Sequence, residues 1–349
     1  MNTQLPAASI ALAILLIGFT DADQDRVPAG PHSPARSAPQ WKLVWSDEFD
    51  GSAIDRSKWD FDLGTGYWVA MPNPWGGLWT KGWGNAELQC YTDRPENVSV
   101  KDGMLHIRAL REPYRGSLYT SARLKTKPNG KSTGLFTKKY GRFEFRAKLP
   151  VGRGLWPALW LMPQDEKYGP WAASGEIDVV ESKGQEPTKV YGTLVYGSQY
   201  PKQTWVGKEF VLPNRGSIAD FHIYALEWEP DEIRWYVDGQ HYATQGFWWS
   251  CSKTATVRKT NDKGKAYLYS IEGVDPANEA DLNAWPAPFD QAFYILLNVA
   301  VGGRFVGDPD STTMFPQEMV IDYVRVYDKV GGYQPSKPRG PGKMPFPMP

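Results

Sequence analysis

Residues Gly175-Glu176-Ile177-Asp178-Val179-Val180-Glu181-Ser182 decide how the rest of the chain is read. Side chains alternate faces along a β-strand, so Glu176 and Asp178 project to one side while Ile177 and Val179 project into a core. Glu181 lies three residues after Asp178 and by that count would enter the core, where an unpaired carboxylate is costly. A one-residue β-bulge returns it to the side of Glu176 and Asp178, and we read the stretch with that bulge. The outer carboxylates then stand roughly 5 to 6 Å apart, the separation a retaining glycosidase requires between nucleophile and acid/base. An acid-x-acid-x-x-acid pattern also arises by chance on solvated surfaces. Its alternation with Ile and Val separates this stretch from a surface charge run.

On both sides of it the chain falls into short alternating segments broken by turn residues, with almost no helical periodicity, the pattern of a β-sandwich. In Gly141 to Leu149, Phe143, Phe145, Ala147 and Leu149 share one face and four charges the other. Leu105, Ile107 and Ala109 alternate with His106 and Arg108, and Ile233, Trp235 and Val237 run into Asp238-Gly239, a hairpin signal. Phe293 to Val301 is apolar on both faces and reads as a central strand, and Ile321 to Tyr327 returns to alternation and closes the fold.

Lys and Arg total 39 against 39 Asp and Glu, so a net charge of zero gives no electrostatic basis for binding nucleic acid, an anionic membrane or a heavily sulfated polymer. Sixteen Trp, 18 Tyr and 14 Phe exceed what a core usually needs, and flat aromatic faces stack on sugar rings. Residues 7 to 19 form an apolar run too short to span a bilayer and end in small residues near Ala22, which reads as a secretory signal over 1–22. The mature protein is expected to be secreted, extracellular or periplasmic, free of the membrane once the signal is removed, and monomeric. Residues 23–40 are a Pro-rich linker, 41–328 one domain, and 329–349 a Pro/Gly-rich tail too poor in apolar residues to order itself. Cys90 and Cys251 are the two cysteines, and either a disulfide or two buried thiols fits the sequence. The four histidines lack metal-ligand spacing, so metal-dependent hydrolysis is not expected. Gly130-Lys131-Ser132-Thr133-Gly134 matches a nucleophile elbow, but the segment that follows reads as strand rather than the required helix, which makes it a polar loop.

Set among Trp45-Ser46-Asp47-Glu48-Phe49-Asp50-Gly51, Trp83-Gly84-Asn85-Ala86-Glu87-Leu88-Gln89, Tyr119 to Leu124, Tyr140 to Glu144, Gly154 to Met162 and Asp322 to Tyr327, the carboxylate strand makes the region from Trp41 to Asp328 resemble glycoside hydrolase family 16, in particular its laminarinase-like, endo-β-1,3-glucanase branch. The resemblance implies an all-β jelly-roll of two curved antiparallel sheets (concanavalin A-like) with a concave glycan cleft. It implies retaining hydrolysis of β-1,3- or mixed β-1,3/1,4-glucan, with Glu176 as nucleophile, Glu181 as acid/base and Asp178 between them. By the same resemblance Asn85, Glu87, Arg123, Trp156, Trp160 and Trp171 line or support the cleft. No cofactor is required, and Glu48 and Asp322 match places where many members hold a structural calcium ion, through a backbone carbonyl and a carboxylate respectively. Two departures stand out. Val195 replaces a histidine usual in Gly192 to Gly197, and residues 247–288, with Trp248, Trp249, Trp285 and Cys251, form a long connection expected to wall one end of the cleft. The alternatives left open are a hydrolase of marine galactans (agarase-, porphyranase- or carrageenase-like), a transglycosylase and a non-catalytic glycan-binding protein.

Overall fold

The computed structural model describes residues 40–69, 78–130, 135–198, 202–252, 257–260, 266–269 and 279–337. The signal, the linker up to residue 39, residues 131–134 of the polar loop and the chain after residue 337 lie outside them.

Alternation builds two stacked sheets. The strand Gln317–Lys329 is the hub of a ten-stranded sheet, pairing antiparallel with Trp41–Asp47, Gly141–Lys148 and Met104–Tyr114. Beyond Gly141–Lys148 the sheet continues through His222–Glu229, Glu232–Val237 and Gln240–Gln245. Asp238 (φ 49°) and Gly239 (φ 77°) close the expected hairpin, both in the left-handed region that a primed turn demands. The second sheet has seven strands in the order Gln203–Val211, Lys189–Gly197, Glu176–Glu181, Leu155–Pro163, Phe293–Val301, Arg123–Lys125 and Asp60–Phe61. Phe293–Val301 is central, as its two apolar faces require.

The two inner faces meet in one core. Phe143, Phe145, Ala147 and Leu149 from the first sheet are buried, as are Leu159, Leu161, Ile177, Leu194, Ile295 and Leu297 from the second. Each of the Phe, Leu and Ile side chains contributes about 1.5–3 kcal/mol on leaving water, which fixes the strand registers and with them the opposite, polar faces. Helices among the described residues are single 3₁₀ turns.

Two details differ from the sequence reading. The sheets are not wholly antiparallel: Gln89–Tyr91 pairs parallel with Ser117–Ser121. The ordered chain does not end at Asp328, because the last strand reaches Lys329, the Tyr333 hydroxyl donates to Asp328 at 2.7 Å, and Ser336 donates to Asp231 at 3.0 Å. Tyr333 also packs on Tyr140, so one aromatic ring orders the start of the Pro-rich tail. Of the two states the sequence left open for Cys90 and Cys251, the structure has separate buried thiols.

Candidate active site

The bulge forms where the carboxylates require it. Asp178 pairs with Thr193 and Glu181 with Tyr191, so Val179 and Val180 together face the single residue Gly192. Both valines are buried in the core, which turns Glu181 out to the side of Glu176 and Asp178. A bulge disrupts the ladder and leaves a carbonyl to satisfy. Trp235, from the opposite sheet, donates its indole N–H to the Asp178 carbonyl at 2.9 Å. Gly192 makes the room: a Cβ there would lie 2.4 Å from the Trp235 ring.

On the open face the two glutamates have different surroundings. Glu176 accepts a hydrogen bond from the Trp171 indole at 2.9 Å. Trp171 sits in the 3₁₀ turn Trp171–Ala173 at φ 47°, a conformation side-chain-bearing residues rarely adopt, which aims it back over the strand. Glu181 accepts from the Trp156 indole at 2.9 Å and, more weakly, from the Thr193 hydroxyl at 3.5 Å. Burial raises Glu176 from the ordinary carboxylate value of 4.5 to about 7, against the Trp171 hydrogen bond and the positive charge of Arg123. Burial followed by the negative charge of Glu176 raises Glu181 to about 7, against the hydrogen bonds from Trp156 and Thr193. Asp178, buried between them, is pushed well above its usual range by burial and then by both glutamates.

The remaining expected residues form the surrounding frame. Trp160 donates to Asn298 at 2.8 Å, and Asn298 donates to the Tyr91 hydroxyl at 3.1 Å. Arg123 lies between the rings of Trp83 and Trp160, at 4.8 and 4.7 Å, and pairs with Asp62 at 3.0 Å. It therefore supports the cleft rather than standing open to solvent. Glu87 accepts from Gln89 at 2.6 Å, Tyr91 at 3.4 Å and Asn85 at 3.5 Å, so it too is committed to the protein. Asn85 is exposed, and its carbonyl accepts the Arg304 backbone N–H at 2.9 Å.

The sequence profile of Glycosyl hydrolases family 16 matches residues 87–246. A β-glucanase of Rhodothermus marinus is 41% identical over 326 residues, covering 90% of this chain and 92% of that one. The chain belongs to glycosyl hydrolase family 16. The catalytic domain of an endo-1,3-β-glucanase (laminarinase) from Thermotoga petrophila superposes with a TM-score of 0.63 at 38% identity, over 84% of this chain and 99% of that one. Glucan endo-1,3-β-glucosidase A1 of Niallia circulans is 40% identical over 88% of the chain, which spans only 40% of that longer protein.

Against its family-16 background the chain carries several residues that sequence reasoning missed. Phe305 packs on Trp156 at 5.1 Å and edge-on to Tyr191 at 5.7 Å, building an aromatic wall beside Glu181. Its place just after the Gly302-Gly303 pair was the signal available, and both glycines adopt positive φ in the structure. Trp83 and Asn298 were legible only as members of a motif and of a buried strand. Val195, where the family usually has histidine, pairs directly with Glu176, so methyl groups flank that carboxylate.

The long connection is only partly a cleft wall. Trp248 is buried and stacks on Trp285 at 4.7 Å, so these two tryptophans serve the core. Ser250 does reach the site's edge, donating at 2.7 Å to the carbonyl of Ala173 in the turn that carries Trp171, and Cys251 donates its backbone N–H to Gly197 at 2.8 Å. Residues 253–256, 261–265 and 270–278 lie outside the described residues. The calcium expectation meets a different arrangement. Arg325 grips the Glu48 carboxylate at 2.7 and 3.0 Å and lowers its pKa, while Arg146 takes that of Asp322 at 2.5 Å. Calcium needs six to eight oxygen ligands, and the described residues contain no cluster of three or more Asp, Glu, His or Cys side chains. Arg146 thus already occupies the one carboxylate expected to ligate, that of Asp322, while Glu48 was expected to act through its backbone carbonyl; the ion is not confirmed, and we derive no step through one.

Proposed function

We propose that the chain is an endo-acting retaining glycosidase that hydrolyses β-1,3- or mixed β-1,3/1,4-glucan, with Glu176 as nucleophile and Glu181 as acid/base. The observation that carries this reading is the asymmetry between two glutamates of similar burial. Both accept an indole N–H, but only Glu176 has the positive charge of Arg123 to stabilise its anion, while Glu181 feels the negative charge of Glu176. A proton shared across the trio therefore settles away from Glu176, the assignment double displacement needs.

In the first step the Glu176 carboxylate attacks the anomeric carbon as the glycosidic C–O bond breaks, and Glu181 gives its proton to the departing oxygen. Glu181, now an anion, takes a proton from water, whose oxygen attacks the same carbon and releases Glu176. Asp178, whose protonated form its buried surroundings favour, can donate to a Glu176 oxygen and hold the nucleophile in line. The glucan assignment draws on the names of the relatives above and on the aromatic lining, which suits a neutral sugar chain. Export follows from the apolar run at residues 7–19. Among the described residues no helix is long and apolar enough to cross a membrane.

Reducing-end release and product sizing on laminarin, mixed-linkage glucan and agarose, for wild type beside Glu176→Ser, tests the reading. The expected result is short β-1,3-linked oligosaccharides from laminarin, abolished in the variant. Release from agarose alone, or undiminished activity of Glu176→Ser, overturns it.

A further inference from the structure

Trp205 is 68% exposed, more than any other aromatic residue of the described core sheets. It lies on Gln203–Val211, the outermost strand of the sheet that carries the carboxylates. A lone exposed side chain means little by itself, and here the register supplies the meaning. Glu176 pairs with Val195, and Val195 pairs with Trp205, so the three form one cross-strand row. Residues paired in this way project from the same face of a sheet. A second row shows the same facing: Thr193 donates to Glu181, and a Cβ on Gly207, the partner of Thr193, would lie 3.2 Å from that hydroxyl. Gly207, two residues from Trp205, thus shares its face and the face of the glutamates.

The neighbours leave the indole bare. Gly207 lies two residues along the strand without a side chain to cover it, and across the ladder Val195 offers only methyl groups. At about 4.8 Å per strand, the row sets Trp205 roughly 10 Å from the Glu176 backbone, beyond the sugar being attacked but on the same floor. Resting on the glucanase reading above, we infer that Trp205 is a stacking platform for a glucosyl unit remote from the bond that breaks, so that it selects for long chains. The apolar Val195 belongs to the same shelf: where a hydrogen-bonding side chain would fix one sugar hydroxyl, a flat apolar floor accepts a ring face.

The test compares wild type, Trp205→Ala and Trp205→Phe on laminarin polymer and on the shortest laminari-oligosaccharide that wild type cleaves. Trp205→Ala is expected to raise KM for the polymer roughly three- to tenfold, the span of one aromatic contact, with kcat within twofold and KM for the short substrate unchanged. Trp205→Phe is expected to recover part of the loss, and the Tm of both variants to match wild type, since the ring is not in the core. Retardation of the Glu176→Ser protein on a laminarin-containing native gel is expected to weaken when Trp205→Ala is added. Equal KM on the polymer with an active wild type, equal losses on long and short substrates, or a change confined to self-association would overturn the platform alone. Wild-type silence on every β-glucan with no retardation would overturn the parent reading as well.

Discussion

The two sheets treat carboxylates in opposite ways. On the outer face of the ten-stranded sheet Glu144 is bound by Arg142 at 2.8 Å, Glu227 by Arg142 at 3.0 Å and Arg234 at 3.1 Å, and Glu229 by Arg234 at 2.5 Å and by Lys329. Although burial pushes Glu229 up, Lys329 and Arg234 bring it below the ordinary range. On the open face of the seven-stranded sheet Glu176, Asp178 and Glu181 crowd together on one strand and rise, with indole donors on the two glutamates alone. The residue type is the same, and so is the alternating strand beneath it. What differs is whether the surroundings supply guanidinium groups or tryptophans, and that choice separates charge used for cohesion from charge held in reserve for proton transfer.

The sharpest way to break this contrast is to remove one carboxylate from each face. Glu176→Ala is expected to lower kcat/KM on laminarin by on the order of 10³-fold or more while the protein melts at or above the wild-type temperature, measured by initial rates and calorimetry. Glu227→Gln should do the reverse. It leaves Arg142 and Arg234 with a neutral partner, costing about 1–3 kcal/mol in denaturant unfolding, with kcat/KM within twofold. If Glu227→Gln instead abolished activity, the division of labour would be wrong.

Titration sharpens the same point. For Glu176 and Glu181 the folded value is raised above the unfolded one, so the protonated form is the one that folding favours. Their contribution to stability is full below about 4.5 and is lost as pH rises through about 7. Glu181→Gln is therefore expected to raise Tm relative to wild type at pH 8 and to leave it unchanged at pH 4; a gain of equal size at both would refute a buried, titrating charge as the cause. Activity should follow a bell, because Glu176 must lose its proton and Glu181 keep one, with limbs that belong to the coupled trio. The smallest effect expected is from Trp235→Phe, about 1 kcal/mol of stability for one lost hydrogen bond, with a several-fold fall in kcat at unchanged KM.

Much of this was legible in the residues. The period-two pattern of Phe143, Phe145 and Ala147 reports their burial because a sheet has only two faces. The bulge could be inferred because the alternative buries the Glu181 charge, a penalty large enough to decide a backbone conformation. What stayed hidden depends on contacts distant in sequence. Trp248 and Trp285 are separated by 37 positions, and nothing local says that they stack on each other rather than on sugar. Likewise the arginines on Glu48 and Asp322 come from other strands. The tail was misjudged because composition averages over Tyr333, one ring with a hydroxyl that finds Asp328.

The indole of Trp235 filling the gap over Gly192 has a consequence for how this centre tolerates change. The kink that sets one glutamate against the other is clamped from behind, through the thickness of the sandwich, by a residue no sugar can touch. The spacing between the two sheets is thereby a dimension of the catalytic apparatus. Substitutions in the interior that thicken or thin the layer by a methyl group should retune turnover without altering a single group in the cleft, which makes the core a route by which such an enzyme can adapt to temperature.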